Sequence, residues 1–141
     1  MSKKVLLVGH CGPDSSYLRL AVRSADPAAQ ILAADAPGEL DAALAQGIDL
    51  VLLNRELGYD FEPMVGVDLI ARLKQSHPGL KTMLISNYAD AQAAAVAAGA
   101  VPGFGKREIG SPRAMQLLRS ALQSEHEPSP PSSTPVVDSK A

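Results

Sequence analysis

The residues able to do chemistry in this chain sit just after short apolar runs. Lys3 to Val8 is followed by Gly9-His10-Cys11-Gly12, Ile48 to Leu53 by Asn54, Lys81 to Ile85 by Ser86, and Val101 to Phe104 by Gly105-Lys106. Adjacent His10 and Cys11 suggest a metal, but the other histidines are His77 beside a turn and His126 near the end, so no closed ligand set is evident. Gly9-His-Cys-Gly12 would let backbone amides approach a phosphate, yet it lacks the third glycine of a dinucleotide fingerprint and the spacing of a P-loop. Lys106 has two roles open to it, meeting an anion or donating to an internal acceptor. Because a buried ammonium without a partner is costly, the internal role is favoured, with the Asn54 amide oxygen or a carboxylate of the stretch Arg55 to Val65 as acceptor. Ser86 is expected to bond nearby backbone. These residues imply no metal and no cofactor.

The elements that position them follow from hydrophobic pattern. The runs Lys3 to Val8, Gln30 to Ala34, Ile48 to Leu53, Lys81 to Ile85 and Val101 to Phe104 read as strands. Helical stretches fill the gaps. The first has Pro13-Asp14-Ser15 as its cap and stops near Asp26-Pro27. The others are Gly38 to Gln46, Val67 to Ser76, Asp90 to Ala98 and Pro112 to Gln123. Strand alternating with helix implies a doubly wound α/β domain around a parallel sheet. In the Ala-rich fourth helix, packing onto the sheet is expected to account for most of the alanines. From Glu125 onward Pro and Ser dominate, so residues 1–124 read as one domain and 125–141 as a disordered tail.

Composition narrows the function classes. The 141 residues are 46% hydrophobic and only 4% aromatic, so the core must be aliphatic. A net charge of -2 gives no general attraction to nucleic acid. Cys11 is the single cysteine, no signal-peptide pattern opens the chain, and no apolar run approaches the ~20 residues that cross a bilayer, so a cytoplasmic protein is expected.

The segments Asp49-Leu-Val-Leu-Leu-Asn54, Gly66-Val-Asp-Leu-Ile and Gly99-Ala-Val-Pro-Gly-Phe-Gly-Lys106, set in five strand-helix units, resemble the receiver domains of bacterial two-component response regulators. The resemblance implies a flavodoxin-like (CheY-like) sheet of order 2-1-3-4-5. It also implies a site in which an acidic pair after the first strand holds Mg²⁺, an Asp ending the third strand takes a phosphoryl group, and a Ser or Thr and a Lys contact that phosphate. Ser86 and Lys106 match, whereas Gly9-His10 replaces the acidic pair and Asn54 the phosphoacceptor. A carboxamide is not the anionic nucleophile that acyl-phosphate formation requires, and Mg²⁺ is normally held by carboxylates and waters. The stretch Arg55 to Val65 is longer than the family implies and carries Asp60 and Glu62, while Gly103 stands at the aromatic switch position with Phe104 one place later.

The expectation is therefore a degenerate receiver domain, not an enzyme, that acts in signal transduction by binding another signalling protein or a second copy of itself. The resemblance implies that it docks through the fourth and fifth helices and the fifth strand, with Phe104, Arg113, Gln116 and Arg119 on that face. Two alternatives stay open. One is a phosphorylatable regulator using carboxylates of Asp60, Glu62 or Asp14, and the other is a nucleotide or small-ligand binder at the strand ends.

Overall fold

The computed structural model describes residues 2–57, 61 and 65–123. Along the chain run β1 (Lys4–Val8), α1 (Gly12–Ala25), β2 (Gln30–Ala34), α2 (Pro37–Leu44), β3 (Leu50–Asn54), α3 (Gly66–Ser76), β4 (Lys81–Ile85), α4 (Ala89–Ala97), β5 (Val101–Phe104) and α5 (Pro112–Gln123), with a 3₁₀ turn at Lys106–Glu108. The strands form one parallel sheet in the order β2-β1-β3-β4-β5. This is the expected flavodoxin-like architecture.

Leu50, Val51, Leu52 and Leu53 are fully buried, as a central parallel strand covered on both faces requires. Successive side chains point to opposite faces, so Val51 and Leu53 join Leu40, Leu69, Ile70 and Leu73 from α2 and α3. Leu50 and Leu52 instead join Leu18 and Val22 of α1 and Leu118 and Leu122 of α5. The register places Val8 beside Leu53 and Asn54 beside Ile85, which gathers the polar ends of β1, β3 and β4 at one edge of the sheet.

Some boundaries differ from expectation for local reasons. β3 starts at Leu50 because Asp49 is engaged before it, its carboxylate accepting from Lys4 N at 2.8 Å. Short-range bonds from Gln46 N to Ala43 O and from Gly47 N to Leu44 O close α2 early. The expected cap of α1 does not form. Cys11 is its N-cap residue and makes no side-chain capping bond, and Pro13 occupies the first turn. In α4 only Ala95 is buried, while Ala93, Ala94 and Ala97 are exposed, so packing on the sheet does not explain most of its alanines. The stretch 125–141 expected as a tail lies outside the described residues.

Burial separates residues of the same type into different energetic roles. Leu52→Ala, at a fully buried site, is expected to cost about 2–5 kcal/mol. Leu20→Ala, at a site 67% exposed, is expected to shift stability by no more than about 0.5 kcal/mol. Urea unfolding midpoints of the two variants measure the contrast.

Candidate functional site

Asn54 ends β3, and Gly9, His10, Ser86 and Lys106 follow the C-terminal ends of β1, β4 and β5, at the edge where an open α/β sheet places ligands. Gly9 has φ +76°, and a Cβ there would approach Leu57 Cδ2 to 2.8 Å. The turn after β1 therefore passes directly beneath Leu57. Leu57 and Phe61, from the long connection after β3, are both buried in the same cluster as Val8 and Leu53. The expected carboxylates Asp60 and Glu62 lie outside the described residues.

Asn54 uses both ends of its carboxamide within the chain. Nδ2 donates to Gly9 O at 3.0 Å, and Oδ1 accepts from Arg55 N at 3.0 Å. One side chain thus ties the end of β3 to the end of β1 and to its own following turn.

His10 lies 2.8 Å from Leu52 O through Nε2. A carbonyl only accepts, so Nε2 carries the proton and the neutral ring has a bare Nδ1, which is buried and without a partner among the described residues. Burial pushes the His10 pKa down. The bond to Leu52 opposes this, the Lys106 charge adds to it, and Asp14 and Asp35 pull the other way.

Lys106 Nζ meets Asp14 Oδ2 at 3.1 Å. Among the described residues its partner is the α1 carboxylate, which the sequence did not suggest, and the side chain also lines a cleft with Asn54 and Ser86. Asp14 is available because it does not cap its helix. Burial raises the Asp14 pKa, but the bonds from Lys106 and Cys11 and the positive charge beside it prevail and leave it lowered.

Ser86 is buried and its hydroxyl accepts from Tyr88 N at 3.2 Å, the local role expected of it. Between Asn54, Ser86 and Lys106 opens a cleft of about 270 Å³, also lined by Arg55, Asn87 and Tyr88. Its cations are compensated. Lys106 faces Asp14, and Arg55 pairs with Glu56 at 3.3 Å while lying 4.6 Å from the centre of the Tyr88 ring. Among the described residues no group of three His, Cys, Asp or Glu side chains converges in metal-binding geometry.

No protein-family model matches the chain, and no curated protein matches it either. Solved structures do. The signal receiver domain of a DNA-binding response regulator from Colwellia psychrerythraea 34H superposes with a TM-score of 0.69 at 19% identity, over 87% of this chain and 100% of that one. The signal receiver domain of an HD domain-containing protein from Pseudomonas fluorescens Pf-5 gives 0.68 at 23% identity, over 86% and 88%. A response regulator from Thermotoga maritima gives 0.63 at 22% identity, over 88% and 100%. The chain has the receiver-domain fold.

The expected docking residues do not share one face. Phe104 is fully buried among Met83, Ile85 and Leu118 and is no part of the surface. Arg113 and Gln116 are exposed, with Arg113 bonded to Glu108 at 2.9 Å and reaching Gly103 O. Arg119 lies six positions after Arg113, about 120° around a helix, and lines instead a groove between α1 and α5 with exposed Tyr17 and Leu20. On the other side of β5, α4 exposes Val96 with Ala93, Ala94 and Ala97.

Gln92 went unremarked in the sequence. Its Nε2 donates toward Leu84 O at 2.9 Å, Ser86 O at 3.0 Å and Phe104 O at 3.2 Å. The available signal was one long polar side chain within AQAAAVAA.

The lowered His10 pKa makes folding pH-dependent. Below the ordinary value of 6.5 the unfolded chain takes up a proton on His10 that the folded chain resists, so stability falls as pH drops through that point toward the lower folded value. Urea midpoints recorded against pH are expected to show this loss in the wild type and its absence from the same window in His10→Gln. Asp14 contributes stability above its ordinary 3.8 that is lost only in stronger acid, as pH falls through its depressed folded value.

Proposed function

We propose that this chain is a cytoplasmic pseudo-receiver, a receiver-like module that binds another signalling protein without being phosphorylated and without catalysing a reaction. The observation that carries this reading is Asn54. At the position ending β3 there is a carboxamide that donates one N–H to Gly9 O and accepts from Arg55 N. Formation of an acyl phosphate at this position needs an anionic carboxylate oxygen, and Asn54 has none. The positions that would hold Mg²⁺ carry Gly9 and a half-buried His10 whose surroundings disfavour its charged form. Relocation of the chemistry to Asp14 gains no support, since that carboxylate is already paired with Lys106.

The docking surface is the exposed part of α4 with the near side of α5, represented by Ala93, Val96, Arg113 and Gln116. Its exposed apolar area on α4, next to polar α5 positions, suits a protein partner better than an ionic ligand. A second copy of the chain is the alternative occupant of the same surface.

The decisive experiment is a backbone amide NMR titration with Mg²⁺ and then beryllofluoride, a mimic of the phosphoryl group. Resonances of Gly9, Asn54, Ser86 and Lys106 are expected to stay unmoved; saturable shifts would overturn phosphorylation independence. For the surface, Val96→Glu is expected to weaken self-association or partner binding by tenfold or more, whereas Leu20→Glu on the α1–α5 groove leaves it unchanged. Sedimentation equilibrium reads the first case and calorimetry with a purified partner the second. The reverse ranking would move the docking face to α1.

A further inference from the structure

α4 is held to the sheet by little apolar burial. Ala95 is its one buried residue, and only Ala91 and Ala98 at its margins pack partly against the core. An alanine offers a single methyl group, so hydrophobic area fixes this helix weakly compared with α3, which buries Leu69, Ile70 and Leu73.

Gln92 supplies what area does not. It sits one turn into α4, and its amide group faces the carbonyls of Leu84 and Ser86 from β4 and its following turn, and that of Phe104 at the end of β5. An amide nitrogen carries only two protons, so three acceptors within 3.2 Å share them. The backbone is shaped to admit it. The β4–β5 register shifts between Met83 and Ile85, opposite Pro102 and Gly103. A Cβ on Gly103 would lie 3.0 Å from Gln92 Oε1 and collide with Leu84 O. The same region is closed further by Ser86 N donating to Phe104 O and Arg107 N donating to Asn87 Oδ1.

We propose that Gln92 is a positioning residue, a polar pin that fixes α4 against the β4–β5 edge and so holds the α4 part of the docking surface in one arrangement. Its bearing on docking rests on the function proposed above; the pin itself does not. Among the α-helices the one it holds buries the fewest side chains, so loss of the pin releases α4 locally and leaves the rest of the fold in place.

Amide hydrogen exchange on the full chain tests this without any partner. In Gln92→Leu, which keeps side-chain bulk and removes both donors, amides of residues 93–98 are expected to exchange at least tenfold faster, while those of Leu18 and Leu118 keep wild-type rates. Unchanged exchange in α4 would overturn the proposal. So would an equal rise at every site, because Gln92 would then support global stability only. Gln92→Glu adds a readout that packing alone does not move. A protonated carboxyl donates and a carboxylate does not, so α4 protection relative to wild type is expected to be lost as pH rises through that group's titration and regained on acidification. A protection ratio independent of pH would also overturn the assignment. A partner that binds elsewhere would defeat the docking surface and leave these exchange results standing.

Discussion

The hydrogen bond from Asn54 Nδ2 to Gly9 O is the constraint around which the functional edge of this sheet is arranged. It needs a donor at the end of β3, and a carboxylate there would set two lone-pair oxygens against a carbonyl. With the amide in place, the turn after β1 is drawn to β3 and runs beneath Leu57. That turn carries His10 to the carbonyl of Leu52 and begins the helix from which Asp14 reaches Lys106. Most polar groups described at this edge are bonded to one another or to nearby backbone. Neutral bonds avoid the desolvation that a buried, uncompensated carboxylate would incur.

This arrangement is not free of cost. The bare Nδ1 of His10 is a buried acceptor without a partner among the described residues, a loss of about 1–3 kcal/mol. The connection after β3 offsets it by burying Leu57 and Phe61, each contributing about 1.5–3 kcal/mol. On those magnitudes the apolar contribution prevails, which accounts for a half-buried histidine tolerated where its charged form is disfavoured. The ion pairs carry less weight. Lys106 with Asp14 is partly exposed and Arg55 with Glu56 more so, and pairs of that kind contribute little beyond orientation.

Much of the fold was legible because buried parallel strands write themselves as apolar runs: β2, β4 and β5 have the bounds that pattern implied. The site residues were legible by position, since each ends or follows a strand. Their partners were not. That Lys106 would choose Asp14 depends on the angle at which α1 leaves β1, and composition carries no trace of it. Phe104 was misplaced because strand alternation gives a face only once the β5 bulge is known. Arg119 was misplaced because helical rotation separates it from Arg113. The exposed alanines of α4 defeat the rule that apolar means buried, which is weakest for small side chains. Gln92 escaped notice because a glutamine in a helix is ordinarily a solvated residue, and only the three-dimensional meeting of three carbonyls gives it a task.

These features bear jointly on how such a module could signal. In a domain that exchanges between two forms, apparent affinity for a partner is reduced by the fraction of molecules in the competent form, and a covalent modification acts by raising that fraction. Here the groups at the strand ends are mutually engaged, and Gln92 bridges α4 to the bulged β4–β5 edge. Under the proposed reading the competent fraction is near one without modification. Partner binding then follows concentration and competition alone, and the module serves as a constant binding surface whose control lies with what it binds.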